Sequence, residues 1–256
     1  ISADANQIWL AKGGELVLLE TLDAKSIGES GTLAEFLGYS QTNYPADKKA
    51  LIFWDHGGGS IWGFGADELY EYDGLTLAEM AAALAASSDG QPYELVGYDA
   101  CLMASAETAG VMAPYARYMV ASEETEPGGG WDYEGFFGAL AQNPDMDGAQ
   151  LGQQIVQSYI DQDERIRDDQ ARSEWVGRGN PMLGGASAVQ LRQQLGRGIT
   201  LTAVRLDQTP NLVGALNDLA FSMQKIDQNA IAKARRYTQS FTSIFGQEVP
   251  APYIDR

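Results

Sequence analysis

Short apolar runs without polar alternation recur along this chain, separated by stretches of helical spacing. ALIFWDHG (50–57), YELVGYDACL (93–102) and YMVAS (118–122) are of the first kind, the pattern of strands buried on both faces. Between them, LTLAEMAAALAAS (75–87) reads as a helix with Asp73 or Thr76 as its cap, and MASAETAGVMAPY (103–115) as a small-residue helix ending near Pro114. Upstream, ELVLLETL (15–22) reads as a strand or hairpin arm and TLAEFLGYSQ (32–41) as a short helix. Downstream, AQLGQQIVQSYI (149–160) is amphipathic. GITLTAVRLD (198–207) is a strand running into a helix that Thr209 caps and Pro210 begins. Residues 162–190 are polar, Arg-rich and Gly-punctuated, which predicts a loop insertion. Alternating strands and helices at these spacings predict an α/β fold with a mainly parallel sheet covered by helices, in one domain over 1–256.

Composition narrows the possibilities. At 256 residues the chain can bury a sizeable core. No apolar run approaches the length of a membrane span. The formal charge of −18 argues against a nucleic-acid partner. That charge is uneven: residues 1–116 carry four basic side chains (Lys12, Lys25, Lys48, Lys49), whereas 164–205 carry seven arginines. The single cysteine, Cys101, excludes an internal disulfide. ISADANQIWL has no signal-peptide pattern and no initiating Met, so the chain reads as a fragment or processed product.

The only histidine, His56, lies just past one buried strand, and Cys101 lies just past the next. Their spacing, 101 − 56 = 45 residues, leaves room for one helical crossover, which would set both at the carboxyl edge of neighbouring strands. A thiol and an imidazole in one cleft form a nucleophile–base pair, in which the imidazole favours the thiolate and protonates a leaving amine. Glycines 57–59 let backbone approach a substrate, and their amides, with that of Cys101, would face a developing oxyanion. Taken singly, a lone Cys is more often a small core residue and a lone His a satisfied polar group. The joint placement favours the pair. A serine esterase with an HGGG loop is excluded, because the chain has neither a G-x-S-x-G elbow nor a second histidine. Adjacent strand residues point to opposite faces, so Asp55 is poorly placed to orient His56 and a dyad is expected rather than a triad. One Cys and one His are too few for a zinc site.

NYPADKKALIFWDHGGG, YELVGYDACLMAS and ASEETEPGGGWDY resemble the clostripain-type cysteine peptidases, of the caspase-like clan with gingipains, legumain and separase. The resemblance is good over roughly residues 30–140 and looser elsewhere. It implies a caspase-like α/β/α sandwich and a peptidase that hydrolyses peptide or protein substrates after Arg or Lys. His56 then matches the family histidine, Cys101 the nucleophile and Gly57 the glycine whose amide supports the oxyanion. Asp99 matches an acid lining the pocket for a basic P1 side chain, with Asp132 a weaker second acid. A buried carboxylate there would pair with Arg and leave a neutral substrate unmatched; its structural alternative is a turn or cap acid. Glu123 and Glu124 would shape the cleft wall or lie in solvent.

The chain also departs from the family pattern. The family's opening strand and acidic turn do not precede ISADANQ, so a missing N-terminal segment or a second chain would supply them. Ala50 to Tyr115 contains no Lys or Arg, so self-cleavage between His56 and Cys101 by a basic specificity is not available. Arg165, Arg167, Arg172 and Arg178 fall in the expected loop, as solvated insertion rather than as processing sites. Some family members use calcium, and GADELYEYDG (65–74) or NPDMDG (143–148) would offer oxygen ligands, although neither fits an EF-hand loop. The resemblance places the protein in a bacterial, extracytoplasmic setting. The competing reading is a binding or adhesion module that keeps the fold without turnover.

Overall fold

The computed structural model describes residues 4–126, 130–161, 163–179, 187–235, 237, 243–244 and 247–248. The chain opens with an antiparallel hairpin of Asn6–Lys12 (β1) and Glu15–Leu22 (β2), followed by Ser30–Asn43 (α1). Ala50–Trp54 (β3), the short Gly59–Trp62 (α2), and the small ribbon Phe64–Asp67 (β4) and Asp73–Leu75 (β5) come next. Leu77–Ser87 (α3), Tyr93–Asp99 (β6), Ala106–Met112 (α4) and Ala116–Ser122 (β7) complete the crossovers. Then follow Tyr133–Gln142 (α5), Gly148–Asp161 (α6), Glu164–Arg167 (α7), Asp169–Gly179 (α8) and Ala188–Gly198 (α9). Leu201–Arg205 (β8), Thr209–Met223 (α10) and Gln228–Arg235 (α11) come after these.

The central sheet has the order β3-β6-β7-β8, parallel except for the antiparallel edge strand β8. Its strands read as continuous apolar runs because both faces are covered. On one face Leu51, Phe53, Val96, Tyr98, Met119 and Ala121 join α1, α3 and α4 in one core. On the other face Leu95 and Val120 join Phe136, Leu151 and Ile155 of α5 and α6. Successive residues of a strand point to opposite faces, so a two-sided core demands apolar residues at both parities. Phe53 and Tyr98 stack across the first core with centroids 5.0 Å apart, and Phe64 meets Phe53 edge-on at 5.1 Å.

Thr76, not Asp73, caps α3: its hydroxyl accepts from Glu79 N–H at 3.2 Å while the Glu79 carboxylate accepts from Thr76 N–H at 2.9 Å. Thr76→Ala is expected to lower stability by about 1 kcal/mol, read from urea midpoints with an unchanged slope. Asp73 instead accepts from Ser26 Oγ at 2.6 Å, and Asp67 accepts from Ile27 N–H at 3.0 Å. The acidic stretch 65–74 thus ties the segment after the hairpin to β4 and β5, and Asp147 caps the start of α6 through Gln150 N–H at 2.8 Å.

Two expectations are corrected. Residues 164–167 and 169–179 are helical, forming α7 and α8, and α9 begins at Ala188; residues 162 and 180–186 lie outside the described set. Polar side chains and glycines hid the helical spacing of these segments; Arg172 is buried there, donating to Ile166 O at 3.1 Å and pairing with Asp169. Thr209 is also not a cap: Gln208 is, and buried Thr209 is the first residue of α10.

Candidate active site

Strands β3 and β6 lie side by side in parallel, with Trp54 paired to Asp99 at their carboxyl ends. His56 and Cys101 each lie two residues beyond that pair, at the same carboxyl edge of neighbouring strands. The loops that follow are in backbone contact. A Cβ on Gly57 would strike the carbonyl oxygen of Cys101 and stand 3.0 Å from Met103 Cγ, so only glycine admits this approach. The turn after the cysteine is held in an unusual form, with Leu102 at φ 64°. A branched-Cγ residue in the left-handed region is uncommon and is retained where the surroundings over-determine it. Here Leu102 N–H donates to Glu124 O at 3.1 Å, and Ala104 N–H to Ser122 O at 2.9 Å.

The backbone donors around the pair are unequally used. Gly58 N–H donates to Gly63 O, and Gly65 N–H to His56 O, both at 2.8 Å. Among the described residues, the amides of Gly57 and Cys101 have no backbone acceptor elsewhere in the chain. The Asp55 carboxylate accepts from the backbone N–H of His56 at 2.5 Å, so it is engaged with the main chain. His56 is exposed and Cys101 half-buried. The Cys101 thiol is pushed up first by burial, and the nearby Glu126 and Asp99 carboxyls add to this. A hydrogen bond from Glu126 N–H to Cys101 Sγ, at 3.2 Å, works in the opposite direction.

Asp99 shares the sheet face of Leu95 and Gly97, the face turned to α5. Gly97 makes room for the Trp131 indole, which would stand 2.8 Å from a Cβ there. Asp99, at 4% exposure, accepts from Trp131 N–H at 3.1 Å, and the Tyr133 phenol favours its charged form. Burial raises its carboxyl above the usual range. Tyr133 is likewise pushed up by burial, so its phenol stays a donor. Asp132 has a different engagement: it caps α5, with Oδ1 accepting from Gly135 N–H at 3.0 Å, and Oδ2 is buried without a partner among the described residues.

A residue that the sequence reading passed over completes the cluster. Glu126 accepts from Ser122 Oγ at 2.6 Å and from Trp131 Nε1 at 3.1 Å, which sets its carboxyl near that of Asp99 across Trp131. Burial pushes it up to about 8. Nothing in its spacing distinguished it from Glu123 and Glu124; only the fold turns the third acid of SEETE inward. Glu124 serves through its backbone, its N–H donating to Thr200 Oγ1 at 2.8 Å. Pro127, Gly128 and Gly129 lie outside the described residues. Among the described residues, no group of three or more His, Cys, Asp or Glu side chains is placed to hold a metal ion.

The sequence model of the clostripain family matches residues 6–254. Clostripain of Hathewaya histolytica is 32% identical over 130 residues, an alignment that covers 44% of this chain and 24% of that protein. A secreted C11 cysteine protease from Bacteroides thetaiotaomicron, solved with an irreversible peptide inhibitor, superposes with a TM-score of 0.57 at 19% identity. That superposition covers 82% of this chain and 54% of the other. A second structure of a secreted C11 protease from the same organism, iotapain, gives a TM-score of 0.59 at 15% identity, over 86% and 58% of the two chains. At such identities these structures speak for the fold, which is the caspase-like α/β/α sandwich of C11 proteases. This chain therefore spans about a quarter of clostripain, at 24%, and just over half of each solved relative. Because the family model runs through both strand ends and nearly the whole chain, the chain belongs to the clostripain family.

Proposed function

We propose that this domain is a cysteine endopeptidase cleaving after arginine or lysine, with Cys101 as nucleophile and His56 as general acid and base. The observation that supports the reading is the common carboxyl end of β3 and β6, just past which the only histidine and the only cysteine of the sequence both lie, with buried Asp99 closing β6. Because its surroundings hold the thiol protonated, Cys101 must lose its proton to the imidazole as Sγ attacks the scissile carbonyl. The amides of Gly57 and Cys101 then take the oxyanion. Collapse of the tetrahedral species passes the imidazolium proton to the leaving amine. Water, deprotonated by His56, attacks the thioester and frees the carboxyl product and the thiol. Asp99 receives the basic P1 side chain, and exposed Trp54, whose Nε1 lies near Gly130, flanks the entrance. Secreted relatives support work outside the cytoplasm.

The test is labelling with arginine, lysine and aspartate chloromethylketone peptides, followed by mass mapping. The arginine or lysine probe should modify Cys101 and fail in His56→Ala. No labelling of a folded protein would instead point to a binding module without turnover. Asp99→Asn is expected to cut kcat/KM on arginine peptides by 10²-fold or more, as an order-of-magnitude figure for a lost buried charge pair, and to leave a citrulline peptide nearly unchanged. Equal losses on both substrates would remove Asp99 from the pocket.

A further inference from the structure

The acid pair of Asp99 and Glu126 has a feature that the peptidase reading does not use. Buried Asp99 accepts from Trp131 N–H at 3.1 Å and half-buried Glu126 from Trp131 Nε1 at 3.1 Å, so the two carboxyls flank one residue; ionised carboxylates only accept, and a pair so placed is stable with one proton between the two. The described groups facing this pair are the Tyr133 phenol of α5, the Trp131 indole and backbone N–H, the Ser122 hydroxyl of β7, and the Cys101 thiol. None brings a positive charge. The described donors to the two carboxyls are thus all neutral, enough for a single shared negative charge.

We propose that Glu126 is a specificity-determining residue of the P1 pocket: it shares one proton with Asp99 in the empty pocket, and a cationic P1 side chain enters as that proton leaves. This rests on the basic P1 preference proposed above. The exchange balances. A pocket of one negative charge takes up one cation and releases one proton to water, leaving two carboxylates on either side of the cation. A neutral P1 side chain cannot drive the release, so rejection comes from both acids rather than from Asp99 alone. The thiol is tied to the same event, since Glu126 N–H is the donor to Cys101 Sγ.

The pH dependence has a defined sign. The folded Glu126 carboxyl lies above its ordinary value, at about 8. Its contribution to stability is therefore full in acid and lost as pH rises from the ordinary carboxylate range through about 8. A bound cation reverses that loss.

The experiment is calorimetric titration of the Cys101→Ala protein with a peptide ending in arginine and its citrulline counterpart. At pH 7, two buffers of different ionisation enthalpy report the protons released. About one proton per arginine peptide is expected, with affinity rising about tenfold per pH unit up to the Glu126 value; the citrulline peptide should release none. Glu126→Gln, which keeps a donor to Asp99 but cannot ionise, should bind the arginine peptide without proton release. In the unliganded protein, the infrared carbonyl band of a protonated carboxylic acid should be present at pH 7 and lost in Glu126→Gln. Arginine binding without proton release, or equal release in Glu126→Gln, overturns the proposal while leaving the basic preference standing. An arginine peptide that binds no better than citrulline overturns both.

Discussion

Replacing Cys101 by alanine is expected to remove arginine-peptide hydrolysis, by roughly four orders of magnitude or more in kcat/KM, in a protein that still folds. The thiol is half-buried, and Glu126 N–H donates to its sulfur at 3.2 Å. Losing a sulfur acceptor of that kind costs about 1 kcal/mol or less. No other thiol at the site can take over the attack, because the chain has one cysteine. His56→Ala should come close to the same loss. His56 is exposed, so its removal leaves packing almost untouched, and a nucleophile whose thiol is held protonated by burial is idle without its base. The double variant should then be no worse than the worse single one, since the two act as a unit. Steady-state kinetics beside thermal melts decide the matter. Turnover surviving in Cys101→Ala, or losses that multiply in the double variant, would break the dyad.

How far this site could be read from the sequence follows from which interactions set each position. Strand ends were legible because apolar runs of both parities can only be two-sided strands, and that placed His56 and Cys101 at one edge. Their register, Trp54 opposite Asp99, was not: a parallel ladder has no turn to fix it, and it emerges from packing on α3 and α4. Asp99 was legible as an acid near the nucleophile, but the use of Asp132 was not, since a helix cap and a pocket acid have the same side chain. Glu126 was illegible for a related reason: among three glutamates in five residues, direction is decided by the Leu102 and Thr200 contacts of the loop, which lie far away in sequence. The helices at 164–179 were hidden by polar composition, which says how much surface is wet and little about backbone form.

Gly57→Ala should be the most damaging single-methyl change at the site. Gly57 does not sit in the left-handed region, so the objection is not conformational freedom but space. The new Cβ would meet the Cys101 carbonyl oxygen, backbone against backbone, with Met103 Cγ at 3.0 Å and the Cys101 carbonyl carbon at 3.1 Å leaving no side to yield. One of the two loops must move. Overpacking of this kind costs about 1–3 kcal/mol, and the movement separates the two amides that are proposed to hold the oxyanion. Losing one such donor costs about 10²–10³ in kcat, with KM little changed because the ground-state carbonyl depends on it less. Gly38→Ala is the matched control: it lies in α1 with nothing within 4 Å of the added Cβ, and the same methyl should there leave kcat alone and raise stability by about 0.5–1 kcal/mol. Active-site titration would normalise both variants to competent enzyme. If Gly57→Ala retained full kcat, the amide of residue 57 would have no part in the reaction and the tight approach of the two loops would be structural alone.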